Sequence, residues 1–311
     1  MEKYIESAYD FFKIAQKIKE ERGHVSQVEF YRGHSNKMWK LLPSIDRENS
    51  LLNFEEKLIN EFMRRRPEEF SEDEGMFNIL AKMQHYGLHT RLLDITENPA
   101  VALYFACSSE YEHDGEIFIF QRSLDEVEDN EVANIILNFY IRFEDENGRY
   151  NLDDYYKYAL SKYNKRNVEK ALYYLINGYS CFARPRLIAE RIKRQLGAFM
   201  IIANEVCPKV NCKNEQCKRR IRNECKNNEI PINMDERIKI TSVKHIFNYY
   251  TKAHIINEQN GCRYIIKSDK KKEILSQLKT IGITKSFLFP EIENEGIDII
   301  AEYKDRIYGT N

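Results

Sequence analysis

The sequence predicts an α+β fold, a mixed β core with flanking helices, and three observations carry that reading. Apolar residues recur at helical spacing in several segments, while short β-branched and aromatic runs punctuate them. The two kinds of segment are mixed without the regular alternation of a doubly wound sheet. The 311 residues, 42% hydrophobic and 31% charged, also supply ample material for a core.

The first segment, 3–21, reads as an amphipathic helix with Tyr4, Ala8, Phe11, Ala15 and Ile18 on one face. A strand is expected at 27–33 and helices at 52–65 and 74–86, the latter from Met76, Phe77, Ile79, Leu80 and Met83. Gly87 suits the residue after a helix end. Asn98 and Pro99 suit the N-cap and first turn of another helix, 98–111. Between them, Leu88 to Glu97 reads as a polar connection that interleaves ligand-type side chains with Leu92 and Leu93. Polar groups anchored beside apolar ones are held still, as a binding site needs. "HDGE" (113–116) is a turn into the strand "EIFIFQR". Residues 124–142 and 152–176 read as helical, "YSCFARP" and "GAFMIIANE" as strands flanking a short helix, and "CRYIIKS" as another strand. A last helix runs from Lys270 to Thr280, where Gly282 stops it.

Composition excludes several classes. No apolar run approaches the roughly 20 residues that span a bilayer, so no membrane partner is expected. The N-terminus has no signal-peptide apolar region, which places the chain in the cytoplasm. A net charge of −1 is neutral on nucleic acid as a partner, so the local distribution of charge matters more.

Four cysteines, Cys207, Cys212, Cys217 and Cys225, stand in a C-x4-C-x4-C-x7-C arrangement. Disulfides are disfavoured in a cytosolic chain, so clustered thiols point to tetrahedral zinc. A metal would supply the folding energy that this segment, poor in apolar residues, lacks. The alternative is a surface insertion with incidental cysteines. Residues 208–226 also carry seven basic side chains against two acidic ones. Phosphates of a nucleic acid are the matching partner, and a solvated face is the plain alternative.

Four ordered blocks carry a family resemblance. They are "FYRGHSNKMWKLLPSIDR" (30–47), "QHYGLHTRLLDITENPAVALYFA" (84–106), "RIKRQLGAF" (191–199) and the C-terminal "LKTIGITKSFLFPEI". The sequence resembles the FRG domain, whose Phe-x-Arg-Gly signature stands here as Phe30, Arg32 and Gly33. On this basis the chain divides into an N-terminal helix (1–26), an FRG domain (27–292) with a Cys-rich basic insertion (205–228), and a C-terminal tail (293–311).

FRG domains are distantly similar to ADP-ribosyltransferases, which take ADP-ribose from NAD. The resemblance implies Arg32, His85 and Asp94 as catalytic, and Arg32, Gly33, Thr90, Arg91, Tyr104 and Gln195 as NAD-binding. A strand-borne Arg beside Gly offers phosphate a forked donor with close backbone approach. Arg32 pairing structurally with Asp94 is the alternative, and the two roles are compatible. His85 could equally cap a helix end, Asp94 could bond its own loop, and Tyr104 could be core. The catalytic Glu of better-known transferases, ahead of a late strand, is matched here by Gln195, with Glu190 the closest carboxylate before it. The implied function is NAD-dependent modification of a nucleic acid, RNA first, by a toxin or antiphage effector with an antitoxin partner. The alternatives are a non-catalytic module binding a nucleotide or peptide, and an NAD glycohydrolase.

Overall fold

A computed structural model describes residues 2–290 apart from 22–25, 48–50, 72–73, 125–126, 129, 143–151, 178–179, 187–189, 203, 208–241 and 248–262. The chain opens with a short strand, β1 (Glu2–Tyr4), and then helix α1 (Ala8–Glu20), whose N-cap Ser7 accepts a hydrogen bond from the Asp10 amide. β1 pairs in parallel with β10 (Arg263–Ile266), so the segment before α1 is a sheet edge and not helix. Tyr4 is accordingly exposed, while Ala8, Phe11 and Ala15 are buried as the helical spacing required.

β2 (Gln27–His34) occupies the position expected of it and pairs antiparallel along its whole length with β4 (Gly115–Ser123). Its side chains alternate between faces. Tyr31, opposite Ile119, joins the core under α1, whereas Phe30, opposite Phe120, joins a separate apolar cluster with Leu93 and Ile95. Helices α2 (Ser44–Arg47), α3 (Glu55–Arg65) and α4 (Met76–His85) follow. α4 ends as read: Gly87 has φ of 91°, and the amides of Gly87 and Leu88 return to the carbonyls of Gln84 and Met83.

The connection after α4 departs from the sequence reading. Residues Leu92–Thr96 form a strand, β3, pairing with β7 (Gly197–Ile201) from Leu92↔Ile201 to Thr96↔Gly197 and touching β2 at Tyr31↔Thr96. Its polar residues obscure a strand whose stability comes from its neighbours on both sides, a tertiary effect that local propensity does not report. α5 (Pro99–Cys107) starts where expected, with the Asn98 side chain accepting from the Ala100 amide.

The remaining helical expectations are refined. Within 124–142 the structure holds a two-residue strand, β5 (Val127–Glu128), and then α6 (Asn130–Arg142). The expected 152–176 helix is two helices, α7 (Leu152–Lys162) and α8 (Lys165–Asn177), and Asn164 caps the second. After β6 (Cys181–Ala183) and α9 (Glu190–Arg194), β7 leads to β8 (Asn204–Cys207), which pairs with β9 (Ser242–Phe247). The Cys-rich insertion falls almost entirely outside the described residues: Cys207 closes β8, and Cys212, Cys217 and Cys225 lie beyond it. The proposed tail, 293–311, is outside as well.

Eight strands make one mixed sheet in the order β1-β10-β4-β2-β3-β7-β6-β5, antiparallel except at its two outer pairs. α1, α5 and α10 (Lys271–Thr280) cover the β1–β2 half, and α4, α6, α7 and α8 cover the β3–β6 half. Buried Lys271 ties the first group together, its ammonium donating to the carbonyls of Ser35, Ser109 and Glu110. The join between the halves, β2 beside β3, is where the polar residues gather.

Candidate functional site

A cavity of about 340 Å³ opens where β2, β3, the end of α4 and α9 meet. Arg32, Arg47, His85, His89, Asp94, Arg191 and Gln195 line it, with Leu92, Leu93 and Phe199 among the apolar residues beneath. Among the described lining residues, three are arginines and one, Asp94, carries a carboxylate; the Arg191 guanidinium lies over the Phe289 ring.

Each polar group is held by a separate local device. Arg32 stands on β2, with 14% of its side chain exposed, and donates through Nε to His34 Nε2 at 3.0 Å. Its Nη1 donates to the carbonyl of Asp94, and the Asp94 carboxylate lies 4.0 Å away. Burial pulls the Arg32 pKa down to about 10; Asp94 opposes the shift and the positive charge of Arg47 adds to it. It remains a cation near neutrality. His34 is 2% exposed, between the rings of Trp39 and Phe118. Burial, reinforced by the Arg32 and Arg47 charges, pushes its pKa down to about 3, so the ring is neutral and its Nε2 can accept.

Asp94 is aimed by a relay. The Thr90 hydroxyl donates to Gln84 Oε1, which fixes the amide's orientation, and Gln84 Nε2 donates to Asp94 Oδ1 at 2.8 Å. Thr90 itself is fixed by the Ser44 hydroxyl, which accepts from its amide at 3.1 Å. Gln195 enters from the other side. Its side-chain amide donates to the Leu288 carbonyl at 3.0 Å, and its backbone carbonyl accepts from Thr96 Oγ1. The next residue, Leu196, takes a left-handed φ of 43° that turns the chain into β7.

The structure therefore brings Arg32, His85, Asp94 and Gln195 to one cavity and leaves the other expected ligands elsewhere. Arg91 is 2% exposed and forks onto Glu55 while lying over the Tyr140 ring, so its guanidinium serves the core. Thr90 is buried and acts through Gln84. Gly33 does allow close approach, but of a helix and not a ligand: a Cβ there would sit 1.9 Å from the Ala102 carbonyl oxygen of α5. Tyr104 packs with Phe105 against the α1 and α5 core, as its helical spacing suggested. Thr96 and Asn98 cap local backbone. Glu190 is exposed and paired with Lys193 at 2.6 Å, away from the cavity lining.

Arg47, His89 and Arg191 line the site without having been singled out. Arg47 and Arg191 stand in the blocks that carried the family resemblance, and His89 stands between Gln84 and Asp94. Position within those blocks was the available signal.

Compared with known proteins, residues 27–115 match the family model described as FRG domain, so the chain carries an FRG domain. The match runs from β2 to the start of β4 and includes Arg32, Arg47, Gln84, His85 and Asp94. No curated protein and no solved structure matches the chain. No helix among the described residues is long and apolar enough to cross a membrane.

Proposed function

We propose that this protein is an NAD-dependent ADP-ribosyltransferase-type enzyme acting on a nucleic acid, RNA first. One observation carries the reading: Asp94, the sole carboxylate among the described residues of the cavity lining, is oriented by the Thr90–Gln84 relay beside the Arg32 guanidinium. The cations suit the pyrophosphate of NAD. Asp94 would stabilise positive charge developing on the ribose as the C1′–nicotinamide bond breaks. Nicotinamide leaves with the bonding electron pair, and the acceptor's lone pair forms the new bond to C1′ as its proton passes to base or solvent. An enzyme of this kind suits a toxin or antiphage effector held in check by an antitoxin.

The cysteines and the basic run belong to the same proposal. Cys207, Cys212, Cys217 and Cys225 would hold one structural zinc, and the basic residues of 208–226 would grip phosphates of the acceptor. Metal analysis of the purified chain, with thiol alkylation under native conditions, tests the zinc: about one ion per chain and protected thiols are expected.

The enzyme reading is tested by incubating labelled NAD with RNA, single-stranded DNA and protein fractions. Nicotinamide release with label on RNA is expected, and Asp94→Asn should lower the rate by about 10²- to 10³-fold. NAD binding without nicotinamide release would instead make the domain a non-catalytic binding module. Gln195, an amide where a late carboxylate would stand, favours that second reading. Release without label on any macromolecule would mean a glycohydrolase.

A further inference from the structure

Arg47 and Arg32 line the same cavity, one at the end of α2 and exposed, the other set into β2. Each is anchored through only part of its fork. Arg32 uses Nε on His34 and Nη1 on the Asp94 carbonyl, while Arg47 uses Nε and Nη2 on the Leu42 carbonyl, each at 3.2 Å. Among the described residues, Arg32 Nη2 and Arg47 Nη1 have no protein acceptor.

The anchors matter because they are not carboxylates. Guanidiniums held by backbone carbonyls and a neutral imidazole keep their charge unspent. Asp94 is the nearest acid to Arg32, yet it sits 4.0 Å off with 68% of its side chain exposed, where solvent screens it. The two Arg side chains also feel each other: Arg47 lowers the proton affinity of Arg32 and of His34. Among the described residues of the lining, Arg32 and Arg47 thus stand as two cations beside one screened carboxylate, Asp94, while the Arg191 guanidinium lies over the Phe289 ring.

We infer that Arg32 and Arg47 form a two-pronged clamp for a pyrophosphate group, Arg47 being its rim half. A linked pair of phosphates presents one acceptor face to each unused Nη and carries the charge that the lining lacks. A single phosphate satisfies one prong. This assignment rests on the cavity being the ligand site of the enzyme proposed above.

Titration calorimetry of the full chain with inorganic pyrophosphate and with inorganic phosphate tests it. Pyrophosphate should bind the wild type about tenfold tighter than phosphate. Arg47→Gln should weaken pyrophosphate about tenfold to a hundredfold, the size of a lost charge-assisted hydrogen bond. Arg47→Lys, which keeps the charge and loses the fork, should fall between the two. It also decides the matter should the Gln variant, deprived of its Leu42 anchor, fail to fold. Equal pyrophosphate affinity in wild type and Arg47→Lys, or equal binding of the two anions by the wild type, would overturn the clamp. Clamp and catalysis separate cleanly. Pyrophosphate binding that needs Arg47, in a protein that never releases nicotinamide, keeps the clamp and removes the enzyme.

Discussion

Gln84 Nε2 lies 2.8 Å from Asp94 Oδ1, so a residue at the end of α4 sets the direction of a carboxylate on β3. The amide cannot rotate freely, because the Thr90 hydroxyl occupies its oxygen. Asp94 is therefore aimed from its own flank and from a neighbouring helix at once.

Replacing Gln84 by Leu should leave the Asp94 side chain without the amide that aims it. Misplacing a reacting group by about 1 Å costs on the order of a hundredfold in rate. If the protein is the NAD-consuming enzyme proposed above, nicotinamide release should fall by about that factor with the melting temperature little changed. Thr90→Val should fall in the same direction by less, since Gln84 can still reach Asp94 in one of its two amide orientations. A Gln84→Leu variant that releases nicotinamide at the wild-type rate would remove the relay from the proposed mechanism.

Gly33 and Gly87 should respond differently to alanine. At Gly33 a Cβ would meet α5 backbone at 1.9 and 2.6 Å, so the strand and helix must separate. Overpacking of that kind costs about 1–3 kcal/mol, occasionally more. At Gly87 nothing lies within 4 Å, but φ is 91°, and the cost is the left-handed backbone, roughly 1–2 kcal/mol. Urea denaturation separates them: Gly33→Ala should lose more stability and also disturb the cavity, because Arg32 is its neighbour.

The Arg91–Glu55 pair should behave as a core ion pair. Arg91→Met strands the buried Glu55 carboxylate, and loss of one partner of such a pair costs about 3–5 kcal/mol. The double variant Arg91→Met, Glu55→Leu should regain much of that loss. Pyrophosphate affinity of the folded double variant should match the wild type, since Arg91 is absent from the cavity lining.

His34 makes stability depend on pH with a definite sign. Its folded pKa, about 3, lies below the ordinary 6.5, because burial disfavours the imidazolium. Between those values the unfolded chain binds a proton that the folded chain refuses. The contribution is present in full above pH 6.5 and is lost progressively as pH falls toward 3. The slope is about 1.4 kcal/mol per pH unit for one proton. His34→Gln can still accept from Arg32 and should show a flatter decline between pH 6.5 and 4.5 in denaturation midpoints. Identical slopes would mean that other groups carry the acid sensitivity.

Much of this molecule follows from local rules that the sequence states. The α1 face, the end of α4 at Gly87, the Asn98–Pro99 start of α5 and the β2 and β4 strands each depend on spacing or capping within a few residues. Four residues from the family blocks, Arg32, His85, Asp94 and Gln195, line one cavity although the first and last are 163 residues apart in the chain. What the tertiary structure decided is which polar residue faces that cavity. Arg91 and Asp94 stand three apart in one polar stretch, yet one is sealed against Glu55 and Tyr140 while the other is open. That division comes from β3, which exists because β2 and β7 flank it, and pairing between distant segments leaves no periodic trace in a five-residue strand. Likewise, Gly33 could be read as making room, but only the packing of α5 shows that the room is taken by a helix. Local sequence sets caps and faces; contacts between distant segments set burial, and burial decides which charges remain free to meet a ligand.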